Sequence, residues 1–332
     1  MNNETEEKKT TPTLSIDSNA LDLYDENSFN KIIPSGKNLF LYTSEGYSIS
    51  LENFYKGSSC FLICSGPSLK NIDLSLLNQR GIITMAVNNA WSVYKPNLWI
   101  CVDDPGNFID IGWKDPSIMK FTPIGHVNRN LQVKEDNGEF RTSQFKVKDM
   151  PSVFHFRRNS KFEVNEFLYQ STVNWGNEEK IIDELGNKGS RSVMLAAIRI
   201  LYYLGFRRVY LLGADFKMES GKDNYAFNQD RSIFSINSNN NTYNILNSRF
   251  NALKPIFDSL NYKIFNCNKD SGLKSFPFIN YETAIKQASA KFNKKIDTLG
   301  WYDRKEKEKE KEKNNIKIEE LIKNIDFGEE VE

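Results

Sequence analysis

The sequence predicts an α/β fold, a mainly parallel sheet with helices on both faces, and three observations carry that expectation. "CFLIC", "GIITMAV" and "LWICV" are short apolar runs separated by helical or polar stretches. Strands buried on both faces read as continuous apolar runs, and strands alternating with helices build a parallel sheet. "GNKGSRSVMLAAIRILYYLGFRRVYLLGADF" contains an apolar helix and then a strand, while "FLICSGPSLKNIDLSLL" breaks a strand at Ser-Gly-Pro-Ser and turns amphipathic.

The chain has 332 residues with 44 basic and 43 acidic side chains, enough for one large or two modest domains and without a whole-chain field for nucleic acid or anionic membrane. No apolar run approaches the roughly 20 residues of a membrane span, and "MNNETEEKKTTPTLS" lacks the apolar centre of a secretory signal, so a cytoplasmic location is expected. Cys60, Cys64, Cys101 and Cys267 lie in or beside apolar runs without C-x-x-C spacing. They are expected to be buried reduced thiols, and no metal-ligand set is assigned.

Taken in order, residues 1–30 are polar and are expected to form a flexible lead-in. Residues 31–57 hold "NLFLYTSEGYSISLENF", whose alternation around Ser-Glu-Gly predicts a β-hairpin extension. The main domain spans 58–300: strand, turn, a helix near Leu69 to Leu77, strand, short helix, strand. Between about 106 and 185, "KEDNGEF" predicts a turn and "SVFHFRR" a strand, in a cover over one end of the sheet. Val193, Ala196, Ala197, Ile200, Leu201 and Leu204 then share one helix face with Arg199 opposite, and Gly205 ends the helix. "NSRFNALKPIFDSL" predicts a helix that Pro255 kinks or restarts, and "YKIFNCN" a last strand. Residues 301–332 carry "KEKEKEKEK", a charged linker, then a short helix whose Ile318, Leu321, Ile322 and Ile325 would dock on the body or pair copies of the chain.

In the broken strand Gly66 allows close backbone approach, Pro67 suits a first helical position, and Ser65 and Ser68 add hydroxyls. Free amides at such a helix start attract phosphate, although an ordinary strand-to-helix connection reads the same way. Gly189, Ser190 and Ser192 precede the long helix and offer a second anion site or simply its cap. "LWICVDDPGNF" ends a strand in Asp103 and Asp104, which suit a sugar hydroxyl, Mg²⁺, general-base work or a capped turn. His155 and Arg157 fall on one face of their strand as candidate base and phosphate clamp, or as a structural histidine beside surface arginines. Asp215 follows a strand whose carboxyl end should border the same crevice as the turn after Cys64.

"SGPSLKNIDLSLL" resembles the G-x-G-P-S-L segment of two related groups, bacterial sialyltransferases that use CMP-sialic acid and MptE-like 6-hydroxymethylpterin diphosphokinases. "AVNNAW", "GSRSVMLAAIRILYYLGFRRVYLLGADF" with its Gly213 and Asp215, and "NYAFNQD" extend the likeness over residues 58–270. Cys64 and Ser65 stand where those families place glycine and asparagine, Lys217 replaces one donor-phosphate tyrosine while Tyr225 keeps the other, and Asn244 falls near the sialyltransferase histidine.

The resemblance implies a Rossmann-like nucleotide user and leaves three readings. The first is a glycosyltransferase with a nucleotide-sugar donor and no further cofactor. Ser65 to Ser68 and Gly189 to Ser192 would hold phosphates, Asn88 the ribose, and Lys217 and Tyr225 the leaving group. Asp103, Asp104 or His155 would act as base toward an unnamed acceptor. The second is an ATP-using diphosphokinase with Mg²⁺ on Asp103, Asp104 or Asp215. The third is a non-catalytic nucleotide-binding or structural protein that keeps the fold.

Overall fold

The computed structural model describes residues 39, 41–135, 137–229, 231–290 and 312–316. The chain divides into two units, Met1–Ala290 and Lys291–Glu332. Within the second, 312–316 are helical and exposed; the apolar stripe from Ile318 to Ile325 lies outside the described residues.

The first unit is built on a sheet of nine strands. In chain order its strands are β1 (Leu41–Tyr42), β2 (Ser48–Ile49), β3 (Ser59–Ile63), β4 (Ile83–Val87), β5 (Leu98–Ile100), β6 (Met119–Pro123), β9 (Val153–Phe156), β12 (Arg208–Leu212) and β13 (Lys263–Asn266). The spatial order is β13-β12-β3-β4-β5-β6-β9-β1-β2. From β13 to β9 every pairing is parallel, and β1 and β2 close that edge antiparallel. The fold is therefore α/β and Rossmann-like, as its apolar runs predict. The expected hairpin belongs to this sheet rather than standing ahead of it, because β1 pairs with β9 as well as with β2.

Both faces of the sheet are apolar, which explains the unbroken runs. On one face Cys60, Leu62, Val209, Leu211, Leu98 and Ile100 meet the helices α2 (Val193–Tyr203) and α3 (Ile233–Ser259). On the other, Phe61, Ile63, Tyr210, Leu212 and Trp99 meet Trp113 and α4 (Tyr281–Ser289). Remaining elements are the single-turn α1 (Asp110–Lys114), the hairpin β7 (Asn130–Lys134) and β8 (Phe140–Lys146), and the two-residue pair β10 (Arg158–Asn159) and β11 (Val173–Asn174). The hairpin's turn is the expected "KEDNGEF".

Three local expectations need correction. The segment Leu69 to Leu77 forms two short 3-10 turns, Pro67–Asn71 and Leu74–Asn78, because Asp73 leaves helical geometry and caps the second by accepting from the Ser75 amide at 2.9 Å. Arg199 is buried, not solvent-facing: α2 is covered on all sides, and Arg199 Nη2 donates to the Gln170 carbonyl at 2.9 Å. Burial pushes its guanidinium down to about 10. Helix α3 starts well before the predicted segment and passes through Pro255, whose ring sits on the exposed side. Its buried Leu246, Phe250, Leu253 and Phe257 recur at helical spacing and hold it against the sheet.

All four cysteines are free; Cys60, Cys64 and Cys101 are buried and Cys267 is partly so. Burial raises every thiol, Cys64 to about 12.

Candidate functional site

In a parallel sheet, ligands bind beyond the carboxyl ends of strands, so those ends decide what the molecule can do. They form two distinct groups here.

The first group lies where the strand order reverses, between β3 and β12. Gly66 donates its amide to the Gly213 carbonyl at 2.8 Å. A Cβ on Gly66 would stand 2.4 Å from that oxygen and 2.6 Å from the Asp215 carboxyl, and one on Gly213 2.7 Å from the Cys64 carbonyl. Gly213 also has φ of +64°. The close approach that glycine permits is therefore between two chain segments, not toward a ligand. Asp215 is buried and accepts from the Ser68 amide at 2.9 Å, from the Ser68 hydroxyl, and from Asn268 Nδ2 at 2.7 Å. The anion at this turn is the protein's own carboxylate. Ser65 accepts the Ala226 amide at 2.9 Å through its carbonyl, which ties the turn to the loop bearing Tyr225. Lys217 is exposed on that loop. Tyr225 stacks on Phe227 at 5.3 Å, and its hydroxyl accepts from Arg231 Nε at 3.1 Å.

The second group lies beyond β4, β5, β6 and β9. Asn88 follows β4 with φ of +44°, and its Nδ2 donates to Asp103 Oδ2 at 2.7 Å. Asp103 opens to solvent but is hemmed in by protein. Partial loss of water raises its carboxyl from its ordinary value, while Arg158, Arg191 and the Asn88 bond oppose that shift. Arg158 packs over the Trp175 ring at 4.6 Å, and Arg191 over the same ring at 4.7 Å. Two clefts have Trp175 and Arg191 in common in their linings. A basic one of about 520 Å³ runs past Arg157, Arg158 and Lys161, and a smaller one of about 310 Å³ includes Asp103, Asn177, Glu179, Gly189 and Ser190.

The candidate residues thus separate. Asn88, Asp103, Gly189 and Ser190 come together in the second group; Ser65, Gly66, Pro67, Ser68, Gly213 and Asp215 stay in the first. Asp104 accepts from the Gly106 amide at 2.9 Å and caps the Pro105–Asn107 turn, so turn chemistry accounts for it. Ser192 caps α2 by accepting from the Met194 amide at 3.1 Å. His155 lies off the crevice: it is 0% exposed, its Nε2 sits 3.2 Å from Ser44 Oγ of the hairpin, and burial depresses it to about 4. The pairing of β1 with β9 covers the strand's edge and brings Ser44 of the hairpin turn onto the ring. Arg157 follows the strand and packs over Tyr42 of the hairpin at 5.1 Å while also lining the basic cleft. Asn244 is exposed on α3.

Trp175, Arg158, Arg191, Asn177 and Glu179 are the site residues that sequence reasoning missed. Arg191 stands inside the "GSRS" motif and Arg158 ends the predicted strand "SVFHFRR", so charge at element ends was the available signal; Trp175 and Asn177 in "VNWGN" offered none. Among the described residues, no group of three or more His, Cys, Asp and Glu side chains is placed to hold a metal ion. Among the same residues no helix is long and apolar enough to cross a membrane.

No protein-family model matches this sequence, and no curated protein matches it. Among solved structures, the chain is similar to the MAf glycosyltransferase from Magnetospirillum magneticum AMB-1, with a TM-score of 0.40 and 13% identity. The similarity covers 77% of this chain and 39% of that one, so this chain spans well under half of that protein's length.

Proposed function

We propose that this protein is a nucleotide-dependent transferase, a glycosyltransferase that takes a nucleotide-sugar donor. The observation that carries the reading is the Trp175 ring packed by both Arg158 and Arg191 beside the raised carboxyl of Asp103. Guanidinium forks suit phosphate oxygens, and an aromatic ring that holds two of them reduces the disorder lost on binding.

In this reading Arg158 and Arg191 bind the donor phosphate, with Gly189 and Ser190 on the wall and Asn88 toward the ribose. Asp103, held by Asn88, takes the proton of the acceptor hydroxyl as its oxygen bonds to the anomeric carbon. The carbon–oxygen bond to phosphate breaks, and the nucleotide leaves with the electron pair against the arginine charges. A base is most useful when its affinity for protons lies near working pH, and the upward shift of Asp103 moves it that way. The Ser65–Ser68 turn with Asp215 lies past the neighbouring strand β3, tied to the loop of Tyr225 and Lys217 through the Ala226 amide.

Isothermal titration of the full chain with CMP, CDP, UDP, GDP and ATP tests the reading. Binding of at least one, weakened by Arg158→Met and Arg191→Met, is the expected result; no heat with any of them would remove it. Nucleotide turnover that stops with EDTA and returns with Mg²⁺ would move the assignment to diphosphate transfer.

A further inference from the structure

The loop that carries Gly189, Ser190 and Arg191 is held from behind by one buried side chain that no motif marks. Arg249 on α3 and Asp183 are both 0% exposed at their side chains, with Arg249 Nε 2.8 Å from Asp183 Oδ2. The remaining arginine nitrogens donate to the loop's main chain, Nη2 to the Gly189 carbonyl at 2.8 Å and Nη1 to the Ser190 carbonyl. Those two residues have φ of +59° and +61°. For Ser190 this left-handed geometry is strained and needs surrounding contacts to persist. Asp183 in turn accepts the Leu185 and Asn187 amides through Oδ1 at 3.1 and 2.8 Å, so both ends of the pair are tied to main chain.

A buried ion pair is weak evidence for stability, since an apolar pair of similar volume serves as well or better. The directional use of all three guanidinium nitrogens points to a different role. We infer that Arg249, anchored by Asp183, is a positioning residue that locks Gly189 and Ser190 in left-handed geometry and so sets Arg191 on Trp175 and against Asp103. This rests on the reading of Arg191 and Asp103 as the phosphate and base groups. The chemistry demands arginine: lysine could pair with Asp183 but could not also serve two carbonyls from one planar fork. The residue lies on an element remote in sequence from the loop, and its spacing to "GSRS" has no pattern a single sequence displays.

The test compares full-length wild type, Arg249→Lys, the charge-free pair Arg249→Met with Asp183→Asn, Arg191→Met, and Leu253→Ala as a destabilising change on the same helix. Two quantities are read: the titration midpoint of Asp103 by carboxyl NMR without ligand, and the affinity for CDP and UDP. Loss of Arg191 from its place removes a positive charge that lowers Asp103, so the midpoint rises in both Arg249 variants as it does in Arg191→Met. Affinity falls roughly tenfold or more in the same three proteins. Leu253→Ala lowers the melting temperature and leaves both readouts unchanged. If the double variant melts near wild type while Asp103 and affinity stay as in wild type, the positioning role is overturned. If Arg191→Met binds nucleotide normally, or wild type binds none, the phosphate reading fails instead, and the Asp103 midpoint still decides whether Arg249 holds the loop.

Discussion

The turn after β3 and the cleft beyond β5 and β9 stand at the same end of one sheet and are put together in opposite ways. The turn has the recognisable motif, yet its donors are satisfied internally: Gly66 meets Gly213, and the Ser68 amide and hydroxyl both reach Asp215. The cleft has no compact motif, yet a raised carboxyl, an aromatic ring and two guanidiniums border its volume, Asp103 accepting from Asn88 and Arg158 Nη1 donating to the Val102 carbonyl at 3.2 Å. Charged groups enclosed by their partners stabilise a fold, whereas charged groups that also border a cleft can be reached by a ligand. A strand-to-helix turn that looks ready for phosphate is therefore best tested by asking whether the protein already supplies the anion.

The largest expected effect lies in the cleft. Asp103→Asn should leave nucleotide binding in place and lower transfer by roughly 10² to 10⁴, the usual worth of a positioned base. Donor hydrolysis and acceptor transfer measured on the same sample would check it, and unchanged transfer would take Asp103 out of the base role. On the other side of the comparison, Asp215→Ala should cost about 2 to 3 kcal/mol in urea unfolding, since the partly buried Ser68 amide, Ser68 hydroxyl and Asn268 side chain lose their shared acceptor. A loss of binding with no loss of stability would reverse the contrast drawn between the two regions.

A comparable stability effect should appear with pH. His155 falls from the usual 6.5 to about 4 in the folded chain, mainly because burial disfavours the charged ring. Between those values the unfolded chain takes up a proton that the folded chain refuses. Stability is therefore full above about 6.5 and falls as pH drops toward 4, by roughly 3 kcal/mol for this residue. His126, depressed to about 3 chiefly by burial, acts in the same direction. Urea midpoints at pH 7 and pH 5 should differ in wild type and differ less in His155→Gln. The smallest change is Arg191→Met, which should weaken nucleotide binding roughly tenfold, with a melting temperature close to wild type.

Much of the fold was legible because both faces of the sheet are apolar: "CFLIC", "ITMAV" and "RVYLL" announce buried strands wherever they occur. Gly205 ends α2 with φ of +96°, as its place after the apolar stripe predicts. The coverage of α2 was not legible, since a helix buried on every side has no polar face to betray it, and Arg199 mimicked one. In the candidate cleft, Asp103, Gly189 and Ser190 were singled out because each follows a strand or precedes a helix, and Asn88 because "AVNNAW" resembles a known segment. Trp175 and Arg249 were not, because what matters about them is which distant main chain or guanidinium they touch. His155 misled for a related reason: alternation gives the face of a residue, and only the fold shows that the ring there is buried and met by Ser44 of the hairpin.

The central claim is that nucleotide phosphate sits by Trp175 and not at the Ser65–Ser68 turn. Fluorotryptophan labelling of the full chain, with the Trp175 signal assigned through Trp175→Phe, tests it in one titration with a binding nucleotide, the turn being followed by its backbone amide resonances. A saturable shift of the Trp175 fluorine resonance, with the Gly66 and Ser68 amides little changed, is the predicted result. Saturation that moves those amides while Trp175 stays still would contradict it.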